Sequence, residues 1–429
     1  MNIFLNPSKK EWLKLLNRPT FSTNHIITIV SNIMDNVKQN GDKALKELSL
    51  KFDKNNIKSL LVSDDEFNNA IEKINIDLKI AIQEAAQNIK SFHSLQLPKI
   101  IRTETTKGVN CWQKAVPINT VGLYIPGGSA PLFSTVLMLG IPASIAQCKK
   151  VILCTPADKN GDINPAILFT ARLCGITTVF KVGGAQAIAA MTYGTETIPK
   201  VDKIFGPGNQ YVTTAKQLAA ANGTAIDMPA GPSEVLVVTD ENTPAEFAAA
   251  DLLSQAEHGA DSQVILVSTD KNKLYEIEKE TYKQLNNLER KELAKKALNN
   301  SRLIFIDNKE ECIDFINSYA PEHLILSINN PENWADDITQ AGSVFMGIYT
   351  PESAGDYASG TNHTLPTNGF ANAYSGVNMD SFMKKITFQQ ISKEGIKNIG
   401  NTIEIMAEAE QLSAHKNAVT VRLNSIKNG

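Results

Sequence analysis

The chain reads as an α/β protein with two largely parallel sheets flanked by helical ends. Three observations predict this. Short β-like apolar runs alternate with helical segments from about Thr120 to Phe205, and again from about Glu234 to Ile306. Gly-rich turns stand where runs of the first kind pass into the second. Residues up to about Arg102 and beyond about Met379 are instead polar and helical in period.

In order, Asp65–Ser91 carries a long helical period. Thr120–Ile125 reads as a strand that passes through Pro126-Gly-Gly-Ser-Ala-Pro131 into a helix over Leu132–Ala146. Lys150–Thr155, Thr177–Val182 and Val201–Phe205 follow as short strands with helices between. In the second run, Glu234–Thr239, Gln263–Ser268 and Leu303–Ile306 are strands. The helices Pro244–Glu257, Asn272–Asn286 and Glu289–Asn299 separate them. Strand–helix alternation implies right-handed crossovers and parallel pairing. A late helix over Asn401–His415 precedes a short apolar run, Ala418–Leu423. No clear sequence repeat links the two runs.

At 429 residues the chain can bury a large core in two or more domains. Its 42 Lys plus Arg against 45 Asp plus Glu leave a net charge of −3, so no basic field invites nucleic acid. Ala115–Cys148 carries no charge, but prolines and glycines divide it, so it reads as a buried α/β unit rather than a membrane span. The N-terminus lacks the pattern of a secretory signal. Five widely spaced cysteines with no CxxC pair argue against disulfides and thiolate zinc sites and fit a reducing cytoplasm.

Three Gly-rich turns, Pro126–Ser129, Gly183–Gln186 and Gly206–Asn209, follow strands and open helices. Backbone N–H groups there attract anions, and together the turns favour a nucleotide or another anionic ligand. Four of the six histidines lie in polar or Gly-rich segments of the last two-fifths: His258, His323, His363 and His415. Gln255 and His258 lie three apart at a helix end, with Gly259 as a candidate C-cap. Asp356 lies in a Gly/Ser-rich loop. Nitrogen and oxygen donors without thiolate suit zinc or another divalent cation. Glu322-His323 follows Pro321 and offers two proton-transfer groups, one for an alcohol and one for a water.

With these segments assembled, the chain resembles the histidinol dehydrogenase family from about Phe21 to Leu423. The blocks that carry the likeness include VGLYIPGGSAPLFSTVLMLGIPA, VGGAQAIAA, DKIFGPGN, AIDMPAGPSEV, LLSQAEHG, PEHL, PESAGDYASGTNHTLPT and AHKNAVT. The resemblance implies two incomplete Rossmann-like parallel-sheet domains with small N- and C-terminal helical arms. It implies an N-terminal arm over 1–23, a larger domain from 24–123 and 235–378, an NAD-binding domain over 124–234 and a C-terminal arm over 379–429.

It also implies roles. Gln255, His258, Asp356 and His415 match the family's zinc ligands, one zinc per subunit, and Glu322 and His323 its catalytic pair. Ser233 and Glu410 match substrate contacts, joined there by Gln255, His258, His323, Asp356 and His415, while Tyr124, Gln186 and Asn209 match NAD contacts. The activity implied is oxidation of L-histidinol to L-histidine through a bound aldehyde, in a cytoplasmic homodimer of intertwined subunits, with no nucleic-acid or membrane partner. His363 is expected to orient the Asp356 loop, and no cysteine is expected to act as nucleophile. A metal-dependent hydrolase would use the same ligands with Glu322 as water activator, but leaves the Gly-rich turns and His323 without a task. A non-catalytic nucleotide-binding protein would not need the intact Glu322, His323 and ligand set.

Overall fold

A computed structural model describes residues 1–19, 23–127, 131–229 and 231–427. Of the first Gly-rich turn, Gly128 and Ser129 lie outside the described residues, as does Phe21, where the likeness begins.

The N-terminal part holds β1 (Asn2–Leu5), α1 (Lys9–Leu15), α2 (Thr23–Phe52), α3 (Asp64–Lys73) and α4 (Ile76–Ser94). There follow β2 (Ile101–Thr106), β3 (Val109–Pro117), β4 (Thr120–Tyr124), α5 (Phe133–Ile145), β5 (Lys150–Thr155) and α6 (Pro165–Leu173). The first run closes with β6 (Thr178–Lys181), α7 (Gly184–Tyr193), β7 (Lys203–Phe205), α8 (Gln210–Ala221) and β8 (Ala225–Ile226). The second comprises β9 (Glu234–Thr239), α9 (Ala245–Ala256), β10 (Gln263–Ser268), α10 (Lys271–Leu285), α11 (Lys291–Asn299) and β11 (Arg302–Phe305). It continues with α12 (Lys309–Tyr319), β12 (His323–Ser327), α13 (Glu332–Ala335), β13 (Ser343–Met346) and α14 (Glu352–Tyr357). The chain ends in β14 (Met383–Ile391), α15 (Lys393–Ala409) and α16 (Ser413–Lys427).

Two parallel sheets organise the molecule. One has the order β6-β5-β4-β7-β8, the other β1-β11-β10-β9-β12-β13. Counting strands from β4 in the first and from β9 in the second, both read 3-2-1-4-5, with β1 added at the edge of the second. Each is thus a doubly wound sheet one strand short of the full Rossmann order. The repeat invisible in the residues is present in the topology. Val235–Val238 and Val264–Val267 are fully buried, as strands covered on both faces require.

The helices of residues 23–94 pack on the helices of the five-stranded sheet: α2 on α7 and α8, α3 on α6, and α4 on α5. β1 pairs with β11, tying the N-terminus to the six-stranded sheet. A third, antiparallel sheet, β14-β3-β2, had no clear sequence signal. β2 is exposed throughout and β14 nearly so, which leaves no buried face to generate an apolar alternation. Its presence corrects the reading of residues beyond Met379 as helical from the outset. α15 and α16 pack against each other, separated by Gln411 at φ 60°, so His415 opens a helix rather than closing one. Among the described residues no helix is long and apolar enough to cross a membrane.

Candidate active site

Each sheet contributes a different end. The Gly-rich turns follow β4, β6 and β7, at the carboxyl edge of the five-stranded sheet. The switch point of that sheet lies between β4 and β7, where Tyr124 ends one strand and Gly206 follows the other. A side chain on Gly206 would place its Cβ 2.0 Å from the Tyr124 carbonyl, and its φ of +127° also demands glycine. Tyr124 Oη accepts from the Gly184 N–H at 3.1 Å, linking two turns. Burial pushes its phenol up to about 12. The third turn is held by a buried ion pair: Asp227 accepts from the Gly206 N–H at 2.8 Å, and Lys216 donates to the Gly206 carbonyl at 2.8 Å while facing Asp227 at 2.5 Å. Asn209 caps α8, accepting from the Tyr211 and Val212 N–H groups. Tyr124, Gln186 and Asn209 line one cavity of about 1160 Å³, walled on one side by Ile29, Ile33 and Phe52 of α2.

The second group sits at the opposite, amino edge of the six-stranded sheet. Parallel strands β9 and β12 begin there, with His323 paired in register to Val235. Glu234, at the head of β9, organises the pair on β12 through its own peptide groups. Its N–H donates to Glu322 Oε2 at 3.0 Å, and its carbonyl lies 3.3 Å from His323 Nδ1. The Glu234 carboxylate is itself fixed by Arg18, at 2.5 and 3.0 Å, and by the Tyr319 hydroxyl at 3.1 Å. Ser233 directly precedes it and is partly exposed.

α9 runs back against the strands, so its last turn also reaches the amino edge. Gln255 is fully buried there, its amide nitrogen 3.2 Å from His323 Nδ1. The two contacts to Nδ1 require opposite tautomers: a carbonyl needs N–H, an amide donor needs a bare nitrogen. The cap of α9 is Glu257 rather than Gly259, because the chain stays right-handed helical for one more residue. His258 follows, its side chain reaching solvent.

Asp356 lies on the short helix α14 rather than in a loop, since Pro351 leads in at its N-cap. Glu352 opens the same helix, so the two carboxyl groups lie one turn apart on one face. One donor atom each from His258, Glu352 and Asp356 lies within 4.8 Å of the others. Asp356 Oδ1 is 3.9 Å from His323 Nε2. His363 Nδ1 lies 3.0 Å from the Asp356 carbonyl, and Nε2 lies 3.0 Å from the Thr135 hydroxyl of α5. His363 therefore holds the Asp356 segment against the other sheet's helices, the orienting position expected of it.

Burial dominates the electrostatics. It drives the Glu322 carboxyl well above its usual range, opposed by the Glu234 N–H and reinforced by Glu234, Glu352 and Asp356. Glu352 is raised likewise, by burial and then by Asp356 and Asp251, and Asp356 rises to about 6. His323 falls to about 3 and His363 to about 4, both chiefly through burial. Desolvation, then Arg290, lowers His258. Three polar atoms here are buried without a partner: Gln255 Oε1, His323 Nε2 and Glu352 Oε2. Orphaned oxygens beside an imidazole and a carboxylate fit a bound divalent cation, which would supply the missing positive charge.

His415 and Glu410 stand apart. Both are exposed on the terminal helical hairpin, and no hydrogen bond or ion pair joins either to the buried group among the described residues. Glu234, Glu352, Lys216 and Asp227 escaped the sequence reading. Only Lys216 gave a signal, a lysine on the core side of an apolar helix. The cysteines are all free. Burial raises Cys148 to about 11 and Cys154, Cys174 and Cys312 to about 12, which disfavours a thiolate nucleophile.

The fold is that of an α/β protein with a cavity at one sheet's switch point and a buried Glu–His pair at the other's amino edge. A family model described as histidinol dehydrogenase matches residues 16–423. The chain is 56% identical over 427 residues to histidinol dehydrogenase of Bacteroides fragilis strain YCH46, covering 100% of both. Against that of Escherichia coli K12 it is 52% identical over 417 residues, covering 96% of this chain and 95% of the relative. The crystal structure of histidinol dehydrogenase from Elizabethkingia anophelis is similar at a TM-score of 0.97 and 59% identity, covering 100% of this chain and 99% of that one. The chain belongs to the histidinol dehydrogenase family.

Proposed function

We propose that the protein oxidises L-histidinol to L-histidine in two successive two-electron steps, the last step of histidine biosynthesis, in the cytoplasm. NAD would accept the electrons, and a divalent cation, zinc in this reading, would supply the positive charge that holds the substrate's nitrogen donors in the site. The other groups involved belong to the chain. His323 takes the hydroxyl proton at Nε2, the nitrogen left free when Nδ1–H is given to the Glu234 carbonyl. Once His323 has passed its first proton to solvent, Glu322 takes a proton from the water that attacks the aldehyde. His323 then receives the hydroxyl proton of the hydrate as the second pair of electrons leaves to a second NAD. Ser233 borders this pair and serves as a substrate contact.

Gln255, His258 and Asp356 hold the cation, and Tyr124, Gln186 and Asn209 hold NAD in the cavity they share. His415 completes the ligand set and Glu410 the substrate contacts from a second copy of the chain. Apolar residues exposed on that hairpin, Ile405, Met406, Leu412 and Val421, support its burial in an intertwined homodimer. The observation that carries the reading is the Glu234 peptide, which holds a buried base and a buried carboxyl together beside unpartnered metal-type donors.

The test is product analysis. L-Histidinol with NAD should yield L-histidine without accumulation of free aldehyde, and amino alcohols lacking an imidazole should turn over poorly. Equal turnover of such alcohols would overturn the substrate assignment.

A further inference from the structure

We propose that Lys216 and Asp227 are positioning residues for the dinucleotide, a buried ion pair that sets the Gly206–Asn209 turn and, through it, the place NAD takes in the cavity. The inference rests on the NAD reading above and deepens it, since neither side chain lines the cavity itself. Lys216, on α8, keeps 5% of its side chain exposed, and Asp227, just past β8, keeps 1%. This is no surface pair for solvent to screen. Asp227 Oδ2 accepts from the Gly206 N–H at 2.8 Å, and Lys216 Nζ donates to the Gly206 carbonyl at 2.8 Å. Asp227 Oδ1 meets Lys216 at 2.5 Å and the Met228 N–H at 2.7 Å. Both carboxylate oxygens and both peptide groups of Gly206 are thus partnered within one ring of contacts.

Burying two charges is costly, and apolar residues of like volume often serve stability as well or better. Apolar side chains could not, however, accept from the N–H and donate to the carbonyl of one residue. Gly206 lies just past β7, beyond the ladders to β4 and β8, so its peptide groups need partners from side chains. Held this way the turn has little room to shift. The Tyr124 carbonyl fills the space where a Gly206 Cβ would stand, and Val212 lies 2.3 Å from the place of a Gly208 Cβ. Asn209 ends the turn, caps α8 and lines the cavity. Lys216 stands about two turns further along the same helix, so the pair ties the helix that begins at Asn209 back to Gly206.

The experiment measures NAD binding directly, by calorimetry on the metal-loaded protein. It compares the unaltered chain, D227N, K216M and the double variant K216M/D227N, each checked for native circular dichroism. K216M leaves a buried charge unpaired and can misfold, whereas the double variant removes both charges and tests the role in a folded chain. In the double variant the dissociation constant of NAD should rise and kcat/KM for NAD fall about 10²-fold, with the loss in KM. The KM for histidinol and the Zn²⁺ content should stay as they were. A merely structural pair would lower the melting temperature and leave the NAD affinity of the folded protein unchanged, and that result would overturn the proposal. Q186A/N209A removes two contacts in the cavity itself. If it too binds NAD unchanged, the NAD reading falls, and the proposal with it.

Discussion

The carbonyl of Glu234 lies 3.3 Å from Nδ1 of His323, and of the two groups facing that nitrogen it is the one that leaves Nε2 free to act, whereas the Gln255 amide, 3.2 Å away, asks for the other tautomer. A carbonyl only accepts, so the bond needs the proton on Nδ1 and leaves Nε2 bare. Because burial holds His323 down to about 3, the ring is neutral at physiological pH.

Replacing His323 with Ala should remove the base from both oxidations. Turnover should fall about 10²–10⁴-fold with histidinol and with the aldehyde alike. Steady-state rates on each substrate check this, and loss with only one of them would contradict a shared base.

Glu322→Gln keeps an acceptor for the Glu234 N–H but cannot take a proton from water. The aldehyde step should lose about 10²–10⁴-fold while the first hydride transfer is less affected. Rapid-mixing experiments should then show one NADH per site formed quickly, followed by a slow phase.

Arg18 approaches the Glu234 carboxylate at 2.5 and 3.0 Å with both groups largely buried. Arg18→Met would leave a buried charge unpaired and should cost about 3–5 kcal/mol of stability, read by urea denaturation. It should also lower kcat, because the Glu234 peptide positions Glu322 and His323. Unchanged stability would mean the carboxylate is not anchored by Arg18.

Gly206→Ala introduces a Cβ 2.0 Å from the Tyr124 carbonyl in a backbone that favours glycine. The turn must move, and kcat/KM for NAD should fall about 10²-fold with zinc content unchanged. A normal KM for NAD would place the dinucleotide elsewhere.

Away from the site, His93 is buried with Nδ1 2.9 Å from the Ile89 carbonyl, and burial lowers its pKa from 6.5. Below pH 6.5 the unfolded chain takes up this proton before the folded one does. Its contribution to stability is therefore present above 6.5 and lost as the pH falls. The decline in unfolding midpoint from pH 7 toward 5 should be shallower in His93→Gln.

How far the sequence could be read follows from burial. β5, β9 and β10 are apolar runs closed by turn or polar residues, and their limits match the structure residue for residue. β12 and β13 were missed, although β12 is entirely buried, because Glu322-His323 at its head looks like a solvated terminus. Glu352 was hidden for the same reason: an acid after proline is the ordinary start of a helix, and only packing reveals it as interior. Residues on separate segments, such as Glu234 and His323, meet through strand register, which no single-segment motif encodes. His415, in the C-terminal arm, stands apart from the buried group, a separation that no local pattern in the sequence measures.

The most direct test of the account is the yield of NADH from limiting L-histidinol, measured on the metal-loaded protein, after chelation and after Zn²⁺ is restored. The account predicts two NADH per histidinol, loss of the reaction on chelation and its return with Zn²⁺. NADH formation that persists after complete removal of the cation, or none from histidinol when Zn²⁺ is bound, would contradict it.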